Sequence, residues 1–387
     1  MSAPKLRFKG FNDDWEEALL TDIVHFYNGK GHEGVVDENG EYILINSKFI
    51  SSDRAVFKRV SECHQKVFDD SLVMVMSDVP NGKALAKFIH IVDGKEYALN
   101  QRIGMLVFKE EFSSKFYQYP LNRNKYYLAF DSGVGQTNLR KDEVLECPIY
   151  KLSLREQTKI ASFLSAVDEK ISQLTQKHEL LSQYKQGMMQ KLFSQQIRFK
   201  ADDGSEFGEW EERKLGEVCR FVNGRAYKQT EWEKEGTPVI RLQNLTGSGK
   251  EYYYSNLNLP DHQYCYNNDL LYMWSATFGP VFWQGEKAIF HYHIWKIEVN
   301  PQLLDKKYMY FLLDEMTEKM KRSLNGSTML HVTKQGMENT EKIIPSLPEQ
   351  TKIANFLSAI DQKVEVVAQQ IEQAKQWKKG LLQQMFV

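Results

Sequence analysis

The sequence predicts an α+β chain in which two mixed α/β globules are joined by a long antiparallel two-helix coiled coil, the whole being a pseudo-twofold internal repeat. Three observations predict it. The run SLREQTKIASFLSAVDEKI from Ser153 returns as SLPEQTKIANFLSAIDQKV from Ser346, and KQGMMQKLF around Gly187 returns as KKGLLQQMF around Gly380. Both runs carry apolar residues in heptads. The stretches between them are β-rich and broken by Gly, Asn and Asp. A repeat spaced by 193 residues in a chain of 387 marks one duplicated unit, and it outranks any local pattern.

The first globule is placed at 1–152. It contains the alternating or continuous apolar runs EYILIN, SLVMVM and RIGMLVF, each bounded by turn residues and each read as a strand. The central helix is placed at 153–196. Its heptad puts Ile160, Val167, Leu174, Leu181 and Met188 at a, and Leu164, Ile171, His178, Lys185 and Leu192 at d. The second globule, 197–345, repeats the strand signals in TPVIRL, DLLYMW and HIWKIEV and adds a helical run, DKKYMYFLLDEMTEKMKRSL. The opening LRFKGFNDDW, ending at Trp15, is echoed by IRFKADDGSEFGEW, ending at Trp210. The last helix is placed at 346–387, with Ile353, Ile360, Val367, Ala374 and Leu381 at a and Leu357, Val364, Ile371, Lys378 and Met385 at d. Pro348 lies in its first turn, where a missing N–H is harmless. Helices of this length span roughly 60 Å. The few residues between Lys342 and Ser346 cannot cross that distance. The second helix is therefore expected to run back antiparallel towards the first globule, which would bring Val387 near Leu6.

Composition narrows the function. Hydrophobic residues make up 42% and charged residues 26%, the profile of a soluble globular chain. No apolar run reaches 18 residues, and the first 15 residues lack a signal-peptide core, so no membrane association and a cytoplasmic location are expected. Cys63, Cys147, Cys219 and Cys265 are scattered and read as reduced thiols. A net charge of −1 argues against a nonspecific electrostatic binder of nucleic acid. Specific DNA contact would have to come from a local basic face.

Catalytic motifs read weakly. Gly29, Gly31 and Gly34 satisfy G-x-G-x-x-G, but a turn and strand follow where a dinucleotide site needs a helix. His262, Cys265, His291 and His293 could be drawn as a zinc set, yet the first globule has no equivalent. Asp168/Lys170 and Asp361/Lys363 sit on the long helices and read as solvated coil faces. No self-contained catalytic centre and no metal site are expected.

The repeated loops are the better candidates. Asn28-Gly29-Lys30 matches Asn223-Gly224-Arg225. Ile45-Asn46-Ser47-Lys48 falls near Arg241-Leu242-Gln243-Asn244. Trp274-Ser275-Ala276-Thr277 corresponds to Met76-Ser77, and Gln101-Arg102 to Tyr292-His293. Arg, Lys, Asn and Gln can read base edges or hold phosphates. The expected DNA-binding residues are Lys30, Asn46, Lys48, Ser77 and Arg102 in the first globule. In the second they are Arg225, Lys228, Arg241, Gln243, Asn244, Ser275, Thr277 and His293.

The twin EQTKIA-FLSA-D runs and the paired helix endings resemble the conserved regions of type I restriction-modification specificity subunits, and the resemblance covers the whole chain. It implies two target-recognition domains, each reading one half of a split double-stranded DNA site, with the helices acting as a ruler. It also implies docking of two methyltransferase subunits, through which nuclease-translocase subunits join. S-adenosylmethionine, ATP and magnesium would belong to those partners, and this chain would carry neither cofactor nor catalysis. The rival readings are a specificity subunit of a related non-type-I system, a solitary nuclease or methyltransferase, and a coiled-coil adaptor that does not bind DNA.

Overall fold

The computed structural model describes residues 4–275, 277–323 and 332–386. The chain divides into two compact units, Met1–Thr175 with Gln369–Val387, and Gln176–Ala368. Four helices organise them: α1 (Ser114–Leu121), α2 (Leu154–Phe193), α3 (Lys306–Ser323) and α4 (Leu347–Met385). Each long helix, α2 and α4, gives one part of its length to each unit.

The six apolar runs singled out from the sequence are all strands. In the first unit an antiparallel sheet has the order Val24–Asn28, Ile103–Phe108, Ser71–Val75, Phe88–Ile91. A second sheet places Tyr42–Ile45 between Lys58–Val60, antiparallel, and Tyr97–Leu99, parallel. In the second unit the corresponding sheets are Cys219–Asn223, Ile294–Val299, Leu270–Ser275, Thr277–Phe282, and Tyr253–Ser255, Thr237–Ile240, Ala288–Phe290, Tyr264–Cys265. Strands buried on both faces explain why SLVMV and LLYM read as continuous apolar runs and not as alternating ones.

The heptads do what their spacing predicts. In the first unit Ile160, Leu164 and Val167 of α2 share one core with Leu381 and Met385 of α4. In the second, Met189 and Leu192 of α2 join Ile353, Leu357 and Ile360 of α4. The end of α4 thus lies against the start of α2 in one unit, and the start of α4 against the end of α2 in the other. Full burial of each Leu or Ile here stabilises by roughly 1.5–3 kcal/mol. The Leu6 N–H donates to the Gln384 carbonyl at 2.9 Å, so the chain's first described residues meet its last turns. Val387 itself lies outside the described residues.

One reading needs correction. Asp168 and Asp361 are not solvated coil faces. Lys378, at a d position, bridges to Asp168, which also accepts from the Tyr119 hydroxyl at 3.0 Å. Lys185, at the equivalent d position, lies 2.6 Å from Asp361 and 3.3 Å from Asp314. The two lysines that interrupt the apolar seam are matched by carboxylates from across it. A cation at a partly buried position is retained only with such a partner. Burial works against the Lys185 ammonium, but Asp361 and Asp314 outweigh it and raise its pKa.

The EQ pair of the repeated run fastens helix to globule. Glu156 takes a bidentate pair of hydrogen bonds from Arg7, at 2.7 and 2.8 Å, and one from the Trp15 indole at 3.4 Å. Glu349 takes the same set from Arg198, at 3.0 and 2.8 Å, and from Trp210 at 3.0 Å. Both side chains are buried, 2% and 0% exposed, and the guanidinium and indole donors offset the cost of taking their oxygens out of water. Gln157 accepts from the Ser113 N–H and donates to the Glu111 and Leu152 carbonyls. Gln350 does the same with Asp305, Leu303 and Pro345. Ser113 and Asp305 are the residues that start α1 and α3, so each Gln sets the position of its globule's helix.

Candidate nucleic-acid interface

In each unit one short loop links the two sheets and gathers three other loops by backbone hydrogen bonds. In the first unit it is Asn100–Arg102. The Lys30 N–H donates to Leu99 O, the Asn100 N–H to Ile45 O, and the Met76 N–H to Arg102 O, at 3.0, 3.1 and 3.0 Å. In the second it is His291–His293. The Arg225 N–H donates to Phe290 O, the His291 N–H to Ile240 O, and the Trp274 N–H to His293 O, at 3.2, 2.9 and 3.2 Å. Lys30, Asn46, Ser77 and Arg102 therefore come from loops tied together at one place, and so do Arg225, Arg241, Ser275 and His293.

The repeated glycine has a steric cause. A Cβ on Gly29 would lie 1.8 Å from Asn100 O, and one on Gly224 would lie 2.2 Å from His291 O. Only glycine lets the Lys30 and Arg225 strands run beside the central loop, as the parallel bridges Lys30–Asn100 and Arg225–His291 record. Gly29 is thus a close-approach residue and not part of a dinucleotide fingerprint.

The side chains on this shared frame differ. In the first unit His32 and His64 stack at 4.7 Å beneath the Lys30 loop. The His32 Nδ1 lies 2.7 Å from Lys30 O, and its Nε2 accepts from the His64 N–H at 3.0 Å, which makes His32 a buried strut. Asn46 caps the short helix Ser47–Ser51 by accepting from the Phe49 N–H at 2.9 Å, while Lys48 projects to solvent from it. The Ser77 hydroxyl donates to Asn138 and accepts from Gln136, both at 2.6 Å. Arg102 is exposed at a positive φ of 67°. Asn100 Oδ1 is buried with no hydrogen-bond partner among the described residues, a costly state for an amide.

The second unit builds a cation–aromatic platform. Tyr227, Trp232 and Tyr253 stack in succession at 4.9 and 4.5 Å. Arg225 lies 4.5 Å over the Tyr227 ring, and Arg241 lies 5.0 Å over Tyr253. His291 and His293 approach to 5.4 Å, and Trp274 packs against His293 at 5.5 Å. Burial, then His293 and Arg241, push the His291 pKa down to about 4, so its ring is neutral near pH 7. Arg225 Nη2 also pairs with Glu231, whose carboxyl it pulls below the usual range, while Arg225 Nη1 and the Tyr227 hydroxyl are buried with no hydrogen-bond partner among the described residues. Asn244 is structural: its Oδ1 accepts from the Arg241 N–H, and its amide donates to Glu251 O at 2.9 Å. Gln243 is half-buried, whereas Lys228 and Thr277 are exposed. Ser275 and Thr277 oppose each other at a hairpin tip, and Ala276 between them lies outside the described residues.

The sequence did not single out Asn100, Tyr227, Trp232, Tyr253 or His291 as members of this site. His291 was considered only as a zinc ligand, and no metal-binding group of His, Cys, Asp or Glu exists among the described residues. Cys265 is buried and donates to Ala288 O at 3.5 Å, with burial pushing its thiol up to about 12. The missed signal was the aromatic residues interleaved with cations, TEWEK and KEYYY, on either side of Arg241.

The frame is duplicated down to its backbone hydrogen bonds but carries unlike polar side chains, so the chain holds two diverged copies of one loop cluster. The family model for the type I restriction modification DNA specificity domain matches residues 12–183 and 208–376, and the chain belongs to that family. It is 25% identical over 399 residues to the type I restriction enzyme MjaVIII specificity subunit of Methanocaldococcus jannaschii, covering 96% of this chain and 91% of that one. The solved S subunit of the type I restriction-modification system from M. genitalium shares the fold, with a TM-score of 0.62 at 17% identity over 100% of this chain and 99% of that one. A structure described as bearing on complex assembly and conformational transition of the type I system shares it too, with a TM-score of 0.58 at 14% identity over 97% and 98%. The chain is a DNA-specificity subunit, the non-catalytic part of a type I restriction-modification complex, and this family carries no cofactor of its own.

Proposed function

We propose that each unit reads one half of a bipartite double-stranded DNA site through its gathered loops. The carrying observation is the matched frame with unmatched side chains: Lys30, Asn46 and Arg102 on one copy, Arg225, Arg241 and His293 on the other. A symmetric frame supports two half-sites, and unlike side chains support different bases in each. Lys30, Lys48, Arg102, Lys228 and Arg241 form no ion pair among the described residues and can meet phosphates or base edges. Arg225 is oriented by Glu231 and the Tyr227 ring and keeps one unpartnered guanidinium nitrogen among the described residues.

Residues 1–152 and 197–345 are the two recognition modules in this reading, and 153–196 with 346–387 form the helical ruler. Half-sites about one helical turn apart, ~34–36 Å, would present one face of the duplex to both modules. The helices also dock two methyltransferase subunits, which bring S-adenosylmethionine. Nuclease-translocase subunits, with ATP and magnesium, join through them. The resemblance of the repeated helices to the family's conserved regions supports this part.

Mapping methylated adenines in a host with and without the gene tests the reading. A two-part motif with a fixed gap should appear only with the gene. A continuous motif, or an unchanged methylation pattern, would rule it out.

A further inference from the structure

Each unit has a groove where its globule meets a long helix, and the two grooves are lined from equivalent positions. The groove of the first unit holds about 880 Å³ and is lined along α4 by Lys375, Lys378, Lys379, Leu382 and Gln383. The groove of the second holds about 310 Å³ and is lined along α2 by Ser182, Lys185, Gln186, Met189 and Gln190. These are the same helix positions in the repeat. The facing walls correspond as well. Lys378 lies 5.5 Å over Tyr119, and Lys185 lies 5.4 Å over Phe311. Phe116 meets Phe386, and Tyr308 meets Phe193, each pair at 5.6 Å. Continuing from those anchors, Asn122 and Arg123 stand where the second unit has Asp314 and Glu315.

The charge of the lining differs between the copies: six cations and no carboxylate in the first groove, three carboxylates and two cations in the second. Lys5, Arg123, Lys125, Lys375 and Lys379 line the first groove, and no Asp or Glu is among the described residues lining it. Lys378 is already matched by Asp168. The exposed contact of Lys375 with Glu372 neutralises little. Asp314, Glu315 and Glu318 line the second groove together with Lys185 and Arg322, and each carboxylate already has a lysine partner: Asp314 with Lys185, Glu315 with Lys319 and Glu318 with Lys321. The first groove also has an apolar floor of Tyr119, Pro120, Leu382 and Phe386. Like charges gathered in a concavity focus a field that only an anionic occupant relieves. A phosphate backbone has no apolar groups for such a floor, whereas an amphipathic acidic protein segment has both.

We infer that the basic groove of the first unit docks an acidic, apolar-anchored segment of the methyltransferase subunit, and that the mixed-charge groove of the second unit does not. The inference rests on the methyltransferase docking proposed above. Two copies of one partner are then held unequally, the first-unit copy more tightly and in a salt-sensitive way. The unlike grooves make assembly stepwise.

The test is a titration of the full chain with its methyltransferase subunit, with 1:1 and 2:1 complexes counted by native mass spectrometry and sedimentation. Two steps at least about tenfold apart are expected at about 0.05 M salt, converging at about 0.3 M as the charges are screened. Lys375→Glu with Lys379→Glu changes two exposed residues one turn apart on α4 and should abolish the tighter step alone. Lys375→Gln with Lys379→Gln should fall between. Equal steps that ignore salt, or steps the double reversal does not alter, would overturn the inference while leaving docking intact. If the reversal lowers DNA affinity and spares partner binding, the groove is a phosphate contact and the inference is again overturned. No partner binding at any salt would sink the docking reading itself.

Discussion

The two copies agree closely where helix meets globule and disagree where loops meet solvent. At the junction, Arg7, Trp15, Glu156 and Gln157 make the same hydrogen bonds as Arg198, Trp210, Glu349 and Gln350. At the loop cluster the backbone contacts recur, but a histidine strut and an unsatisfied asparagine face a stacked aromatic platform with two arginines. The junction solves a folding problem common to both copies, so its chemistry is held. The loops need only a common frame, so their side chains are free to diverge.

The strongest way to break the comparison is to remove the buried carboxylates. Glu156→Ala and Glu349→Ala each strand a guanidinium and an indole N–H, and each should cost its own unit about 3–5 kcal/mol. Denaturant titration followed by Trp fluorescence should give losses of similar size. A large loss in one unit with none in the other would end the claim that the junctions are equivalent.

A second set of variants probes the loops. Arg241→Ala should weaken DNA binding by about 1–3 kcal/mol, with the loss confined to positions of one half-site if the contact is to a base. Lys30→Ala should act on the other half-site. Loss spread evenly over all sequences, with a shallower salt dependence, would make them phosphate contacts. Binding as tight as wild type by folded variants would remove them from the interface.

A smaller difference should separate the seam lysines. Lys185→Met leaves Asp361 and the more deeply buried Asp314 unmatched, and burial already pushes the Asp314 carboxyl up. Lys378→Met leaves Asp168, which keeps the Tyr119 hydroxyl. The Lys185 change should cost more, by about 1 kcal/mol. Equal unfolding midpoints for the two variants would contradict the assignment.

The smallest expected effect is on pH dependence. The unfolded chain protonates His291 near 6.5, whereas the folded ring resists until about 4. Its contribution to stability is therefore present above 6.5 and is lost as pH falls towards 4. Denaturant midpoints of wild type should drop between about pH 7 and about pH 5, and His291→Phe should flatten that slope. An unchanged slope would show that His291 titrates normally.

The helices were legible because the heptad is local and repeated, and the six core strands because each holds a short apolar run, continuous or alternating, between turn residues. Lys185 and Lys378 looked like faults in the seam, since their partners Asp361 and Asp168 come from the other helix and no short-range pattern links them. The echo of Arg and Trp at the start of each globule was visible as text. Its purpose was not, because Glu156 and Glu349 lie more than 130 residues further along the chain. The Gly-Lys and Gly-Arg loops were found through duplication. Trp232 and Tyr253 escaped notice because they have no counterpart in the first copy, and they meet only after the sheets form.

The central claim is that one frame carries two independent readers. Replacing residues 197–345 with the corresponding segment of another specificity subunit, and then sequencing the methylated sites, tests it most directly. One half of the motif should change while the other half and the gap between them stay as they were. A change in both halves, or in neither, would contradict the account.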